Sequence, residues 1–152
     1  MEAVLLDTDV FSYLMKPGDS RGPLYRPRVT GKTIAVSFIT FGELYYGALH
    51  KQWGPKNIAD LESRLRSVVI VPYDQELSRT YGRLKAELRR LGKLCADNDL
   101  WIATCAVRHN VPLVTHNAKH FAHVPGLQVI TEYKTAPAAP SPTPRSLFDK
   151  NP

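Results

Sequence analysis

Short apolar runs alternate with helical patterns along most of the chain, and this alternation is the strongest constraint on its fold. Apolar, β-branched runs predict strands at residues 3–6, 33–37, 68–71, 113–115 and 127–131. Helical patterns lie among them at residues 9–16, 40–50, 56–66, 75–91 and 99–109. Interleaved strands and helices favour a parallel sheet. The sequence therefore predicts an α/β fold.

The chain divides into one globular domain and a proline-rich tail. Its 152 residues, 43% of them hydrophobic, are enough for one domain with a substantial core. Residues 17–28 carry several prolines and glycines and predict a loop. From residue 136 onward, proline recurs among Ala, Ser and Thr, which offers few side chains to a core. We therefore predict a domain at residues 1–135 and a flexible tail at residues 136–152.

Charge and cysteine content indicate a class of partner and a compartment. The formal net charge is +6 and the pI is about 9.4, so the surface attracts polyanions such as nucleic acid. The two cysteines form no disulfide or metal framework and are typical of a reducing cytosol. No apolar stretch approaches the ~20 residues that span a bilayer. These features predict a cytoplasmic protein that is not inserted in a membrane.

Several acidic residues stand where an α/β fold places its chemistry. Asp7 ends the apolar run of the first predicted strand, and the carboxyl ends of parallel strands are where such folds bind ligands. A carboxylate there is costly unless it is solvated, paired or bound to a metal. Glu43, Asp97 and Asp99 are the other candidates. Carboxylates without thiolate partners suit hard cations such as Mg²⁺ or Mn²⁺.

Each of these acids also has a purely structural explanation. Asp9 is better explained as the N-cap of the helix at residues 9–16. Glu43 fits a capping box with Thr40, and either Asp97 or Asp99 could cap the helix that follows them. The sequence alone leaves these alternatives open.

Four segments in a fixed order resemble one known family. They read LLDTD at residues 5–9, SFITFGELYYGA at 37–48, DNDLWIATCA at 97–106, and LVTHN at 113–117, the last followed by Phe121 and a Gly-Leu pair. Together they resemble PIN-domain ribonucleases, and more closely the VapC-type toxins of toxin-antitoxin systems. The resemblance extends from about residue 2 to about residue 132. Each segment alone is weak, and the four in order are specific.

The resemblance implies a fold, a reaction and a set of site residues. The implied fold is a three-layer α/β/α arrangement with a short, mainly parallel sheet. Proteins of this kind cut RNA phosphodiester bonds with Mg²⁺ or Mn²⁺, form homodimers, and are held inactive by a VapB-type antitoxin. Asp7, Glu43 and Asp99 match the main metal-site acids, and Asp97 resembles an additional one. His120 stands where relatives often carry a further acid.

Two other functions remain open from the sequence. The chain could be a non-catalytic RNA-binding or interaction module with a degenerate site. It could also be a phosphotransferase in which Asp7 attacks phosphate and Asp9 acts as the acid or base. Phe11 stands where that second pattern needs a small residue, and no downstream lysine clearly serves the phosphate. His116 and His120, four residues apart, are weaker candidates for a metal site.

A surface for a protein partner is predicted near the first two helices. Tyr45 and Tyr46 are neighbours on one helix, so their side chains point about 100° apart and cannot both face the same core. One of them should reach the surface, where exposed aromatic residues often mark interfaces.

Overall fold

The computed structural model describes residues 2–134, so the predicted tail at residues 136–152 lies outside the described residues. Five strands form one sheet in the order β3-β2-β1-β4-β5, and every neighbouring pair is parallel. The strands are β1 (Ala3–Leu6), β2 (Thr33–Ser37), β3 (Val69–Val71), β4 (Leu113–Val114) and β5 (Val129–Ile130). This arrangement confirms the predicted α/β fold with a parallel sheet.

Seven helices accompany the sheet in the described part of the chain. They are α1 (Thr8–Met15), α2 (Gly22–Val29), α3 (Phe38–His50), α4 (Pro55–Arg66), α5 (Gln75–Arg90), α6 (Asp97–His109) and α7 (Ala118–Phe121). No helix among residues 2–134 combines the length and apolar character needed to cross a bilayer.

The helices cover both faces of the sheet, which gives the predicted three layers. Successive strand residues point to opposite faces. Leu5 faces one apolar core together with side chains of α5 and α6. Val4 and Leu6 face a second core together with side chains of α1, α2 and α4. Both cores are apolar because each strand is buried from two sides, as parallel sheets require.

The prediction of a loop at residues 17–28 is wrong, because α2 occupies most of that segment. Pro23 lies in the first turn of α2, where its missing N–H has no helical partner to lose. Tyr25 and Val29, four residues apart, are buried in the core that α1 also faces. A Cβ on Gly22 would stand 2.9 Å from the Tyr13 carbonyl oxygen, so this glycine allows α1 and α2 to approach closely.

The register of the sheet aligns the ends of three strands. Leu6 pairs with Val36 of β2 and with Val114 of β4, so the residues after β1 and β4 emerge at the same edge. Asp7 follows β1 there, and Thr115 follows β4. The helices that leave this edge carry the remaining acids of interest.

Candidate metal centre

Asp7 is held in a fixed orientation between strand β1 and helix α1. Its backbone is extended (φ −74°, ψ 172°), and it is the N-cap of α1. Its Oδ1 accepts a hydrogen bond from the backbone N–H of Val10 at 2.8 Å, and its Oδ2 accepts one from Thr115 Oγ1 at 2.5 Å. Only 5% of the residue is exposed. Asp7 is therefore a buried acid with little freedom to turn.

The surroundings of Asp7 make its negative charge costly. Burial, together with the charges of Asp9 and Asp99, raises the pKa of this carboxyl to about 6. The hydrogen bonds from Thr115 and Val10 act in the opposite direction on the same pKa. The buried charge is therefore stabilised when a cation binds beside the carboxylate, or is removed when a proton binds to it.

Glu43 reaches the same region from helix α3. The N-cap of α3 is Ser37, whose hydroxyl accepts from the backbone N–H of Thr40 at 3.1 Å. The proposed capping box between Thr40 and Glu43 is therefore not formed, because α3 begins two residues earlier than predicted. Glu43 Oε1 instead accepts from Thr8 Oγ1 at 2.9 Å. The Glu43 side chain is thus directed toward the start of α1.

Asp99 is the third residue of helix α6 and is half-buried. Its Oδ2 lies 3.4 Å from His120 Nδ1. Burial raises the pKa of the Asp99 carboxyl, and the charge of Asp9 raises it as well, whereas His120 lowers it. His120 lies on helix α7, so this pair joins α6 to α7.

One cavity of about 190 Å³ joins these side chains. Asp7, Glu43 and Asp99 all line it although they come from three separate segments of the chain. The remaining lining residues are Thr8, Asp9, Ile102, Asn117, His120 and Phe121. The structure therefore brings three acids that are distant in sequence to the lining of one cavity.

Asp9 occupies a different place from the one that the sequence predicted. Asp7, not Asp9, caps helix α1, because the helix begins one residue earlier, at Thr8. Asp9 lies in the first turn, and its Oδ2 accepts a hydrogen bond from Asn117 Nδ2 at 2.9 Å. This side chain therefore faces the cavity rather than the end of its own helix.

Asp97 lies outside the cavity, contrary to the sequence-based expectation that it stands beside the other acids. Its Oδ1 accepts from Lys85 Nζ at 3.0 Å and from the Tyr81 hydroxyl at 2.9 Å. Asp97 and Asp99 are two positions apart on α6, so they point about 200° apart. Leu100 is buried in the core, which fixes the rotation of α6 about its axis. In this rotation Asp99 lines the cavity and Asp97 faces away from it.

The donor set fits a hard divalent cation. Carboxylate oxygens are the ligands that Mg²⁺ and Mn²⁺ prefer, and the charges that act on Asp7 are those of two other acids, Asp9 and Asp99. As the side chains stand, no three His, Cys, Asp or Glu residues between residues 2 and 134 are gathered closely enough to hold one ion. Glu43 is turned to Thr8 and Asp99 to His120. These two acids must rotate if one ion is to contact all three.

The histidine pair is divided between two environments. His116 Nδ1 lies 2.6 Å from the hydroxyl of Tyr25, and its ring makes edge contacts with Tyr13, Tyr25 and Tyr133. His120 lines the cavity. The two rings therefore do not form a shared metal site.

Residues 4–127 match the PIN domain family. The chain belongs to the PIN domain family. It is 35% identical to Ribonuclease VapC2 of Haemophilus influenzae over 127 residues, which cover 82% of this chain and 93% of that protein. Family membership disfavours the phosphotransferase interpretation.

Solved structures of PIN domain proteins have the same architecture. VapBC-1 from nontypeable Haemophilus influenzae aligns with a TM-score of 0.75 at 32% identity, covering 85% of this chain and 97% of that chain. VapBC2 from Rickettsia felis, bound to a DNA fragment from its promoter, aligns with a TM-score of 0.74 at 28% identity, covering 85% and 98%. The chain is therefore similar, over 85% of its length, to almost the whole of one chain of each complex.

A larger groove opens beside the cavity of this PIN domain. It has a volume of about 540 Å³ and runs between α1, α3 and α4. Its apolar lining includes Met15, Leu44, Trp53 and Leu61. Thr8 and Glu43 line both the groove and the acidic cavity. The two spaces thus share one wall.

The prediction for the adjacent tyrosines is confirmed. Tyr46 is 69% exposed, whereas Tyr45 is partly buried, stacks on Phe41 and donates to Glu62. Leu49, three residues after Tyr46, is also largely exposed. Helix α3 therefore presents apolar side chains to solvent on the side that does not face the core.

Proposed function

We propose that this protein is a metal-dependent endoribonuclease and the toxin of a VapBC-type pair. The observation that carries the proposal is the meeting of Asp7, Glu43 and Asp99 at one cavity of a PIN domain. The relative described above is named a ribonuclease, and this supports RNA as the substrate. The net charge of +6 supports attraction of a polyanion to this acidic site.

Asp7, Glu43 and Asp99 are the proposed ligands of Mg²⁺ or Mn²⁺. When bound, a divalent cation neutralises the charge that develops on phosphate oxygens during hydrolysis. Asp7 is the anchor, because Thr115 and Val10 fix both of its oxygens and it is ionised above its pKa of about 6. Glu43 and Asp99 complete the set by turning away from Thr8 and His120.

The side chains around the acids suggest how substrate is positioned. The Thr8 hydroxyl lies within hydrogen-bond distance of Glu43 and of the Thr40 hydroxyl, and it would turn from these acceptors to donate to a phosphate oxygen in the cavity. A carboxylate among the three acids can orient or deprotonate the attacking water. Free Cys95 and Cys105 are consistent with work in the cytoplasm, where RNA is present.

The decisive test measures RNA cleavage by the purified chain with Mg²⁺ or Mn²⁺ and with a chelator. Asp7→Asn should lower the rate by about 10³-fold or more, because it removes the charge that fixes the cation and retains the shape. Asp97→Asn is the matched control and should retain the rate within about twofold, since that acid lies outside the cavity.

The outcome also decides between this function and the second candidate. A chain that binds RNA with unchanged affinity but never cleaves it, in any divalent cation, would be the non-catalytic RNA-binding module. Wild-type cleavage by Asp7→Asn, from a preparation free of contaminating nuclease, would remove the acid from the mechanism.

We propose that the groove between α1, α3 and α4 receives a segment of a VapB-type antitoxin. The solved neighbours are VapBC complexes, which makes such a partner the natural occupant. The apolar lining suits apolar side chains, and Glu43 in the shared wall suits an Arg or Lys that reaches the acids. A basic side chain there would compete with the cation for the same carboxylate.

A matched pair of substitutions on one helix tests the groove. Gly47 lines the groove and a Cβ on it meets open space, whereas Gly42 is exposed elsewhere on α3 with equal room. Gly47→Gln should weaken binding of a VapB-type antitoxin by about 10-fold or more, because it fills the groove, and Gly42→Gln should not. Equal affinities of both variants would place the partner elsewhere, with the exposed Tyr46 surface as the next candidate.

The remaining proposals concern the tail and the assembly state. We propose that residues 1–135 form the whole nuclease domain and that residues 136–152 are dispensable for it. Deleting residues 136–152 should leave the melting temperature and the cleavage rate nearly unchanged, because that sequence offers little to a core.

We also propose a homodimer, which sedimentation analysis of the full chain would detect.

A further inference from the structure

Asp9 is a fourth carboxylate at the acidic cavity, and the ligand set proposed above does not use it. It lines the cavity together with Asp7, Glu43 and Asp99. Its carboxylate therefore shares this small space with the three proposed ligands. An acid that stands close to two other acids is electrostatically unfavourable unless something positive is bound among them.

The hydrogen bonding of Asp9 leaves it prepared to act as a ligand. Asn117 Nδ2 donates to Oδ2 at 2.9 Å and holds the side chain against the cavity. No protein group among residues 2–134 donates to the other oxygen, Oδ1. Asn117 is itself fixed, because its backbone N–H donates to Thr115 Oγ1 at 3.0 Å, and Thr115 also holds Asp7.

Asp9 is not the residue that caps helix α1. The cap of α1 is Asp7, whose side chain accepts from Val10 N. An acid in the first turn of a helix does interact favourably with the helix dipole, and Asp9 receives that benefit wherever its side chain points. The direction of the side chain toward Asn117 and the cavity therefore calls for another explanation.

We propose that Asp9 is the fourth carboxylate of the cation site and that Asn117 is the residue that positions it. This inference rests on the proposed function, because it concerns the same cation. It replaces Asp97, which the sequence favoured and which Lys85 and Tyr81 hold on the other side of α6. On the α7 side of the cavity, the residue beside Asp99 is His120 and not an acid. Asp9 supplies a fourth negative charge to the same cavity from α1.

Direct titration of the full chain with Mn²⁺ tests the inference without relying on activity. Unbound Mn²⁺ is followed by its electron paramagnetic resonance signal, and calorimetry gives the same affinity independently. Asp9→Asn should weaken Mn²⁺ binding by about 10-fold or more, because it removes one charged ligand and retains the shape. Asp97→Asn should bind Mn²⁺ within about twofold of wild type, since its pair with Lys85 is exposed.

Asn117 is tested through its dependence on Asp9. Asn117→Ala should weaken Mn²⁺ binding by about 10-fold in the wild-type background and should have no further effect in the Asp9→Asn background. A purely structural loss would instead lower the melting temperature and would weaken binding equally in both backgrounds.

The possible failures are distinguishable. Mn²⁺ affinity of Asp9→Asn equal to that of wild type would overturn the inference and leave the nuclease proposal intact. A wild-type chain that binds no Mn²⁺ at any concentration compatible with folding would overturn both.

Discussion

Two segments of this chain read Asp-x-Asp at the start of a helix, and the structure uses them differently. In the segment Asp7-Thr8-Asp9 both acids line the cavity. In the segment Asp97-Asn98-Asp99 only the second acid does, and the first pairs with Lys85 on the surface. The two sequences have the same spacing, so spacing alone does not decide which carboxylates meet.

The difference arises from where each helix begins. Asp7 precedes α1 in extended conformation and caps it, so the angle between Asp7 and Asp9 is not fixed by helical geometry. Both Asp97 and Asp99 lie inside α6, whose N-cap is Ala96 and has no side-chain capping bond. Two residues that are two apart within a helix diverge by about 200°. A helix start displaced by a single residue therefore decides whether a pair of acids converges.

The largest expected effect comes from removing the donor that supports the buried acid. Thr115→Val keeps the shape of a fully buried side chain and leaves Asp7 Oδ2 and the Asn117 N–H without their partner. The free energy of unfolding should fall by about 2 to 4 kcal/mol. Chemical denaturation in a chelating buffer measures it.

The pH dependence of that loss tests whether the Thr115 hydroxyl stabilises the fold through Asp7. The bond from Thr115 lowers the pKa of Asp7, so its removal must raise that pKa above about 6. The loss should therefore be greatest at neutral pH, where wild-type Asp7 is ionised, and smaller near pH 4, where it is protonated. A loss independent of pH would mean that Thr115 acts through packing alone.

Asp7→Asn should raise the free energy of unfolding in the absence of divalent cations, in contrast to Thr115→Val. The pKa of Asp7 is raised from 3.8 to about 6, so the folded state favours the protonated acid. The ionised group costs nothing below about pH 4, costs progressively more from pH 4 to 6, and reaches its full cost above that range. Because an amide fits the two donors less well, the net gain on substitution should be about 1 to 2 kcal/mol at neutral pH.

Thermal unfolding at two pH values tests this prediction. A gain of about 1 to 2 kcal/mol corresponds to a rise in melting temperature of roughly 2 to 8 °C for a chain of this size. The gain should vanish near pH 4. A variant that is less stable than wild type at neutral pH would show that the ionised acid is well compensated by its hydrogen bonds.

A smaller effect is expected from giving α6 the cap that it lacks. Ala96→Ser supplies a side-chain oxygen at the N-cap, as Asp7 does for α1. The free energy of unfolding should rise by about 0.5 to 1 kcal/mol. Denaturant titration against wild type would detect it, and no gain would mean that the first turn of α6 is already satisfied by other groups.

The smallest expected effect concerns the surface acid. Tyr81→Phe removes the hydroxyl that donates to Asp97, which is the counterpart of removing the Thr115 hydroxyl from Asp7. Because Asp97 is exposed, the unfolding free energy should change by less than about 0.5 kcal/mol. A loss as large as that of Thr115→Val would contradict the contrast between the two acids.

The sequence was sufficient for the sheet and the long helices because their signals are local. Strands β1 and β2 were predicted at their observed bounds, and the stripe of α5 at residues 77, 84 and 88 is buried as expected. Helix α2 was missed because its stability comes from burying Tyr25 and Val29, while Pro23 and Pro27 suggest a loop. The four-residue α7 is too short to leave a periodic pattern.

The site was only partly predictable for a related reason. Asp7 was evident because an acid after a buried strand is rarely accidental, and the family resemblance indicated Glu43 and Asp99. Asp9 was misassigned to the cap, since capping propensity cannot tell which of two neighbouring acids the helix will use. The partner that decides its direction, Asn117, is 108 residues away in sequence, and no local pattern links the two side chains.

Glu43 forms part of the wall of both the groove and the cavity, and this has a thermodynamic consequence. A basic partner segment that uses this carboxylate and a cation that needs it are linked, so each lowers the affinity of the other by the same factor. A higher concentration of free divalent ions would then weaken the binding of the partner, without any change in the fold.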